Sequence, residues 1–329
     1  MTTVAAAVQW SDRRAEPGTW LFGRTSDFWL AGAGGGVLLV AIALLLRWHG
    51  DRELQTADLL LAELHLGATY DAVVRRRLWR RMPFAVFAVP AAITAVTYWL
   101  MLADRGVLVT TVVLYAAVWH RGRQSFGIAR YYQARMDGPV SAWHRRLFRA
   151  AIYLPMAAGA AYFASTAPLY EGDEFFALAL DPQIVKALAV VAVAGIGAYA
   201  VFAARHRARI HPGETWLVLA NAVAFGSGYV LGAWSMSFML VLALHHEVQY
   251  LSFTYAMARR SAATKLGGLR DELRLLASFA LWPAIGLTSW ALCRLSESDW
   301  VPPFLVSGLL WHYWLDGRIW TARARRLAA

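Results

Sequence analysis

The sequence predicts an all-α, polytopic integral membrane bundle of about ten transmembrane helices, with both termini in the cytoplasm. Of the 329 residues, 59% are hydrophobic, and the mean hydropathy is +0.42. Apolar stretches of about 20 residues, the length that a helix needs to cross a bilayer, alternate with short connections. We therefore expect a cytoplasmic lead-in at 1–27, one transmembrane domain at 28–320 and a basic cytoplasmic tail at 321–329.

The apolar stretches define the candidate spans. In chain order they lie at 28–47, 54–74, 83–102, 107–127, 149–168, 184–204, 214–232, 235–257, 276–294 and 302–319. The first contains a glycine-rich patch at 32–36, which indicates close helix packing because the strand and the Lys-Ser/Thr pair of a phosphate-binding loop are missing. The second is the most polar, so a tilted or half-buried helix is an alternative there.

The distribution of basic residues predicts the orientation. Lys and Arg collect at 75–81, 121–149, 205–209, 259–274 and 318–326. The connections between these clusters are acidic or poor in positive charge, and this alternation places both termini on the cytoplasmic side of a cell's inner membrane. The net charge of +11 therefore indicates contact with anionic lipid headgroups, not with nucleic acid. The single cysteine, Cys293, excludes an intramolecular disulfide and a CxxC motif.

The nine histidines fall into two groups. Four lie in or beside charged connections, where solvated or headgroup contacts are expected: His49, His144, His206 and His211. The other five lie in spans two, four, eight and ten: His65, His120, His245, His246 and His312. All five are within fourteen residues of a basic cluster, which places them within about 20 Å of one membrane face. Although a lone buried histidine usually bridges helices, five at one depth predict a shared metal site.

Polar residues near these histidines are candidates for supporting roles. A side chain four residues away can fix the tautomer of a ligand, and three pairs have this spacing: His120 with Gln124, His245 with Gln249, and His312 with Asp316. Glu63 and Glu247 are candidate additional ligands or general bases. Tyr250 is a candidate for redox chemistry or substrate contact, although an interfacial tyrosine belt would also explain it.

Ligation by histidine without thiolate suits iron, zinc or copper. A site near the cytoplasmic face, enclosed by apolar helices, favours iron acting on a substrate that arrives from the bilayer. Zinc hydrolysis remains an alternative because Glu63 or Glu247 would supply its base. Membrane lipids, a lipid-soluble substrate and an electron donor protein are the expected partners.

A family resemblance rests on single histidines in several spans, among them His65-Leu-Gly-Ala-Thr-Tyr-Asp71 and the pair His245 and His246. This arrangement over spans two to ten resembles the bacterial membrane-bound carotene dioxygenases. The resemblance implies a non-heme iron held by histidines and an oxygen-dependent reaction on an isoprenoid or acyl lipid. The HxxxH and HxxHH boxes of membrane fatty-acid desaturases are missing from the sequence.

Three rival functions stay open at this point. The histidines would relay protons or bind a cation in a transporter, although no internal repeat is visible. Paired axial histidines would hold a heme. In a scaffold or assembly factor, the same polar groups would serve helix packing alone.

Overall fold

The computed structural model describes residues 20–46, 61–62, 64–71, 73–74, 77–136, 141–166, 174–233, 235–263 and 305–317, with isolated positions at 273, 277, 284, 288 and 291. The regular secondary structure of these residues is helical throughout, without a strand. The predicted all-α class is therefore confirmed. The tail at 321–329, most of the lead-in and most of the ninth predicted span lie outside the described residues.

The described helices are numbered in chain order. Their bounds are α1 Arg24–Leu30, α2 Ala33–Leu46, α3 at 64–71, α4 Leu78–Arg81, α5 Val89–Leu102, α6 Gly106–Ala134, α7 Ala142–Thr166, α8 Pro182–Arg205, α9 Pro212–Gly232, α10 Met236–Ala263 and α11 at 305–317. A π-helical turn, Phe84–Ala88, leads directly into α5.

Four of the described helices are long and apolar enough to cross a membrane: Phe84–Leu102, α7, α8 and α9. Helices α1 and α2 pass the same test together, but they meet at a bend of 41°. The predicted first span at 28–47 therefore corresponds to two helices that begin at Arg24, and their bend fits a broken span or a re-entrant loop. The break coincides with the glycine patch, where a Cβ on Gly32 would lie 2.9 Å from the Phe28 carbonyl oxygen and 3.1 Å from Trp216 Cβ on α9.

Helix α10 is the inner helix of the bundle. Its side chains from Ser237 to Glu247 are all buried, whereas α5 and α8 expose large apolar side chains such as Trp99 and Val193. Helices α6 and α10 have 29 and 28 residues, about 40 Å, which is enough to span a bilayer. They are less apolar than the four helices above because they carry a buried polar cluster into the bundle.

The N-terminal end of the described chain is fastened by a buried carboxylate. Asp27 accepts hydrogen bonds from the backbone N–H of Leu21 at 2.7 Å, the backbone N–H of Phe22 at 2.9 Å and the hydroxyl of Tyr132 at 2.9 Å. Burial, with Asp27 adding to it, raises the pKa of Tyr132 well above its usual value. The residues before α1 are thereby tied to the end of α6.

The expectation of solvated connection histidines is wrong for His144 and His211. His144 is 1% exposed, and its Nε2 lies 2.7 Å from Glu214 Oε1, which also accepts the Tyr199 hydroxyl at 2.9 Å. His211 is fully buried and caps α9 by accepting the Gly213 N–H at 3.0 Å. Neighbouring arginines in the sequence do not reveal burial that distant helices provide.

Candidate metal centre

Four of the five span histidines meet in the bundle. His65 comes from α3, His120 from α6, His246 from α10 and His312 from α11, and each is at most 5% exposed. The His65 ring centroid lies 4.8 Å from that of His246, 4.6 Å from that of His312 and 5.9 Å from that of His120. The His120 centroid lies 4.9 Å from that of His246 and 4.7 Å from that of His312. Each ring therefore has at least two imidazole neighbours.

Three of these histidines form a metal-compatible group with a carboxylate. One donor atom from each of His65, His120, His312 and Asp316 lies within 4.8 Å of the others, and all four residues are buried. Ligand atoms about 2.1 Å from one ion are at most about 4.2 Å apart. The largest separation that the group allows exceeds this limit by roughly half an ångström, so the spacing is compatible with a single ion.

The ring nitrogens show which groups suit a metal. His65 Nε2, His120 Nε2 and His246 Nδ1 are buried and have no hydrogen-bond partner among the residues that the structure describes. The His120 ring is also held by a hydrogen bond with the backbone of Tyr313. Each unsatisfied buried polar atom destabilises a fold by about 1–3 kcal/mol. A cation would satisfy these nitrogens, so the donor set fits a bound transition metal.

A hydrogen-bonded network supports one side of the group. Thr69 Oγ1 lies 2.7 Å from the Tyr250 hydroxyl and 2.8 Å from His312 Nδ1, and it donates to Asp316 Oδ1 at 3.1 Å. The Tyr250 hydroxyl also donates to Asp316 Oδ1 at 3.1 Å. The Tyr250 ring stacks on the His65 ring at 4.0 Å with an angle of 2° between their planes. Three helices are thereby joined around His312.

Two predicted residues take positions that the sequence did not specify. Tyr250 is 1% exposed and touches the histidine group, so it does not belong to an interfacial belt. Asp316 was expected to orient His312, and its Oδ2 lies 3.9 Å from His312 Nε2. Because Asp316 is itself a member of the metal-compatible group, a direct ligand role is open to it.

His245 lies apart from the other four histidines. Its ring faces the glycine patch of α2, with Cε1 3.7 Å from the position that a Gly36 Cβ would take. The physical reason is that adjacent residues on a helix point about 100° apart, so only one of His245 and His246 can face the group. Gln249 contacts His245 Nε2 at 2.7 Å as expected, and it also donates to the Ala31 carbonyl oxygen at 2.9 Å.

Gln124 has a different partner from the expected one. Its Nε2 donates to the backbone carbonyl oxygen of His246 at 2.9 Å, so it joins α6 to α10 instead of holding the His120 ring. Arg121, expected at the cytoplasmic surface, is 6% exposed and donates to the Tyr229 hydroxyl at 3.4 Å.

The two candidate bases differ in what the structure shows. Glu247 is buried on α10 but is not a member of the metal-compatible group. Glu63 lies outside the described residues. Thr69 was missed as a supporting residue, although it stands four residues after His65, the offset that singled out Gln124, Gln249 and Asp316.

The fold and the site define a helical protein with membrane-length apolar helices and a buried histidine and aspartate cluster that is compatible with metal binding. No protein family model, curated protein or solved structure matches this chain.

Proposed function

We propose that this chain is an integral membrane, histidine-ligated non-heme iron oxidoreductase that acts on a lipid-soluble substrate. The observation that carries the proposal is the convergence of His65, His120, His246 and His312 from four helices, with Asp316 beside them. In this cluster three ring nitrogens have no hydrogen-bond partner among the described residues, and a bound cation would remove that cost in stability.

Iron is the metal that we propose among the three that imidazole ligands suit. Histidine nitrogens with a carboxylate and open positions are typical of non-heme iron oxygenases, and a buried site among apolar helices favours oxygen chemistry on a lipid. Zinc and copper remain the alternatives for a metal probe to decide. Bound to these residues, iron would supply the activation of dioxygen.

The surrounding residues position the ligand side chains and exclude water from them. Helices α3, α6, α10 and α11 hold the ligands, and the network of Thr69, Tyr250 and Asp316 orients them. Buried apolar side chains lie one turn away, among them Leu242 before His246. Tyr250, with its hydroxyl hydrogen-bonded to Asp316, is placed to exchange a proton at the site.

The substrate class follows from the surroundings of the site and from the resemblance to carotene dioxygenases. A site inside apolar helices selects a molecule that partitions into the bilayer, so we propose an isoprenoid or acyl lipid. We also propose a ten-span topology in a cell's inner membrane with both termini cytoplasmic, because every alternate connection is basic.

A heme fits this geometry poorly. A porphyrin would have to pass between ring centroids that are only 4.6–5.9 Å apart, and each ring also has a second imidazole neighbour. An optical spectrum of the purified protein without a Soret band is therefore expected.

Oxygen-18 labelling tests the proposed reaction. The purified protein, supplied with Fe²⁺ and β-carotene or a bacterial lipid extract under ¹⁸O₂, should yield products that carry the label by mass spectrometry. Incorporation of both oxygen atoms into product balances without external electrons, whereas incorporation of one requires an electron donor protein. His120→Ala should abolish the product, and His206→Ala, on a half-buried histidine that bonds the Phe202 carbonyl, should not. Failure of the wild type to label any lipid would refute the proposal.

A further inference from the structure

The side chains of Thr69, Tyr250, His312 and Asp316 make four close contacts that share few hydrogens. Three of these contacts involve the hydroxyl of Thr69. The four contacts are Thr69 with Tyr250 at 2.7 Å, with His312 Nδ1 at 2.8 Å and with Asp316 Oδ1 at 3.1 Å, and Tyr250 with Asp316 Oδ1 at 3.1 Å. Thr69 is fully buried and the other three residues are at most 2% exposed, so the four groups lie away from bulk water. An ionised carboxylate only accepts, and each hydroxyl donates one hydrogen.

With Asp316 ionised, counting hydrogens assigns the His312 tautomer. If Thr69 donated to His312 Nδ1, the Tyr250 hydrogen would be the only one left. The contact of Thr69 with Asp316 would then lack a hydrogen, and so would one of the two contacts of Tyr250, so that two of the four contacts would be unserved. If His312 Nδ1 carries a hydrogen and donates to Thr69, then Thr69 donates to Asp316. The Tyr250 hydroxyl donates to either Asp316 or Thr69. Three hydrogens then serve the four contacts.

We propose that Thr69 is a positioning residue that holds His312 as the Nδ1–H tautomer, so that the Nε2 lone pair faces the metal-compatible group. His312 Nε2 is the nitrogen on the side of Asp316 Oδ2, 3.9 Å away. A ligand histidine that donates its second ring hydrogen to a fixed acceptor is oriented for metal binding, and loss of such a partner lowers metal affinity by about 10–100-fold. The inference rests on the proposed metal site, and it adds a specific residue to it.

Thr69 also links the Asp316 carboxylate to the His312 ring. Because Thr69 accepts from His312 and donates to Asp316, one hydroxyl fixes the spacing of two members of the group. Serine keeps this donor and acceptor, whereas valine keeps the shape and removes both.

Co²⁺ titration of the purified full chain tests the metal arm of the proposal. The d–d absorption of bound Co²⁺ should report an affinity that is about 10–100-fold weaker in Thr69→Val and within about threefold of wild type in Thr69→Ser. Thr254→Val is the matched control, because Thr254 is a buried threonine whose hydroxyl has no hydrogen-bond partner within the described part of the chain. Its affinity should not change. Equal affinities of Thr69→Val and wild type would overturn the inference.

A second measurement does not depend on metal. In ¹⁵N-histidine-labelled, metal-free protein, the His312 signals, identified by their loss in His312→Gln, should show Nδ1 protonated and Nε2 unprotonated. Thr69→Val should give a mixture of tautomers. A wild-type spectrum with Nε2 protonated would overturn the inference whichever variants fold. If the wild type binds no Co²⁺ while the Nδ1–H tautomer is present, the proposed function fails and the assignment of Thr69 to the tautomer stands.

Discussion

Replacement of His246 by leucine separates a metal site from a packing role. His246 is 5% exposed, and its Nδ1 has no hydrogen-bond partner among the described residues. In the metal-free protein this ring lowers the free energy of unfolding, because an unsatisfied buried polar group destabilises a fold by about 1–3 kcal/mol. Leucine fills a similar volume without a polar atom. We therefore expect His246→Leu to stabilise the metal-free protein.

The magnitude follows from the size of the chain. For a protein of this length, 1 kcal/mol in the free energy of unfolding corresponds to roughly 2 °C in Tm, so the metal-free Tm should rise by roughly 2–6 °C. The wild type should gain stability when Fe²⁺ or Co²⁺ is added, because a ligand that binds only the folded state raises Tm. In His246→Leu that metal-dependent gain should shrink or vanish.

The assay is thermal unfolding of the purified protein in detergent, with a chelator and with added metal. His245→Leu is the adjacent control: it removes the contact with Gln249 and should lower Tm without changing the response to metal. If His246→Leu lowers the metal-free Tm while the response to metal stays as in the wild type, the histidine serves packing. That outcome would refute His246 as a ligand and confine the site to His65, His120, His312 and Asp316. A wild type whose Tm does not respond to metal at all would favour the scaffold function.

Three further predictions concern the end of the bundle near Asp27. Asp27→Ala leaves three donors without an acceptor, two of them buried, so the free energy of unfolding should fall by about 3–5 kcal/mol in a denaturant titration. Gly213→Ala should cost about 1–3 kcal/mol in the same titration, because its Cβ would lie 2.7–2.9 Å from three atoms of the Tyr132 ring. Burial lowers the pKa of His211 to about 4, so between pH 6.5 and 4 the unfolded chain binds more protons than the folded one. Stability should therefore fall by about 2 kcal/mol as the pH drops through this window, and His211→Asn, which keeps a capping side chain, should flatten that dependence.

The sequence was informative where a physical constraint acts on single residues. Polar groups in apolar spans have to find partners inside the bundle, and this constraint singled out His65, His120, His245, His246 and His312, of which all but His245 meet. The helical period also indicated that His245 and His246 point in different directions, but it could not say which of them faces the other helices. That choice depends on the rotation of α10 within the bundle, which packing against α2, α6 and α9 decides.

Other features depend on contacts between distant parts of the chain. The partner of Gln124 is a backbone carbonyl on α10, 122 positions away, and no local spacing predicts it. His144 and His211 lie near charged residues in the sequence, yet both are buried, with Glu214 and the Gly213 N–H at the start of α9 as their partners. Thr69 carried the four-residue offset, but a threonine on a helix more often bonds its own backbone, as Thr111 does with Val107.

X-ray absorption at the metal edge of the purified protein measures directly whether these histidines hold a metal. We expect about one iron per chain, bound by nitrogen and oxygen, with multiple scattering from at least three imidazoles that weakens in His65→Ala and in His312→Ala. This expectation would be contradicted by a protein without stoichiometric metal, or by a metal spectrum that both substitutions leave unchanged.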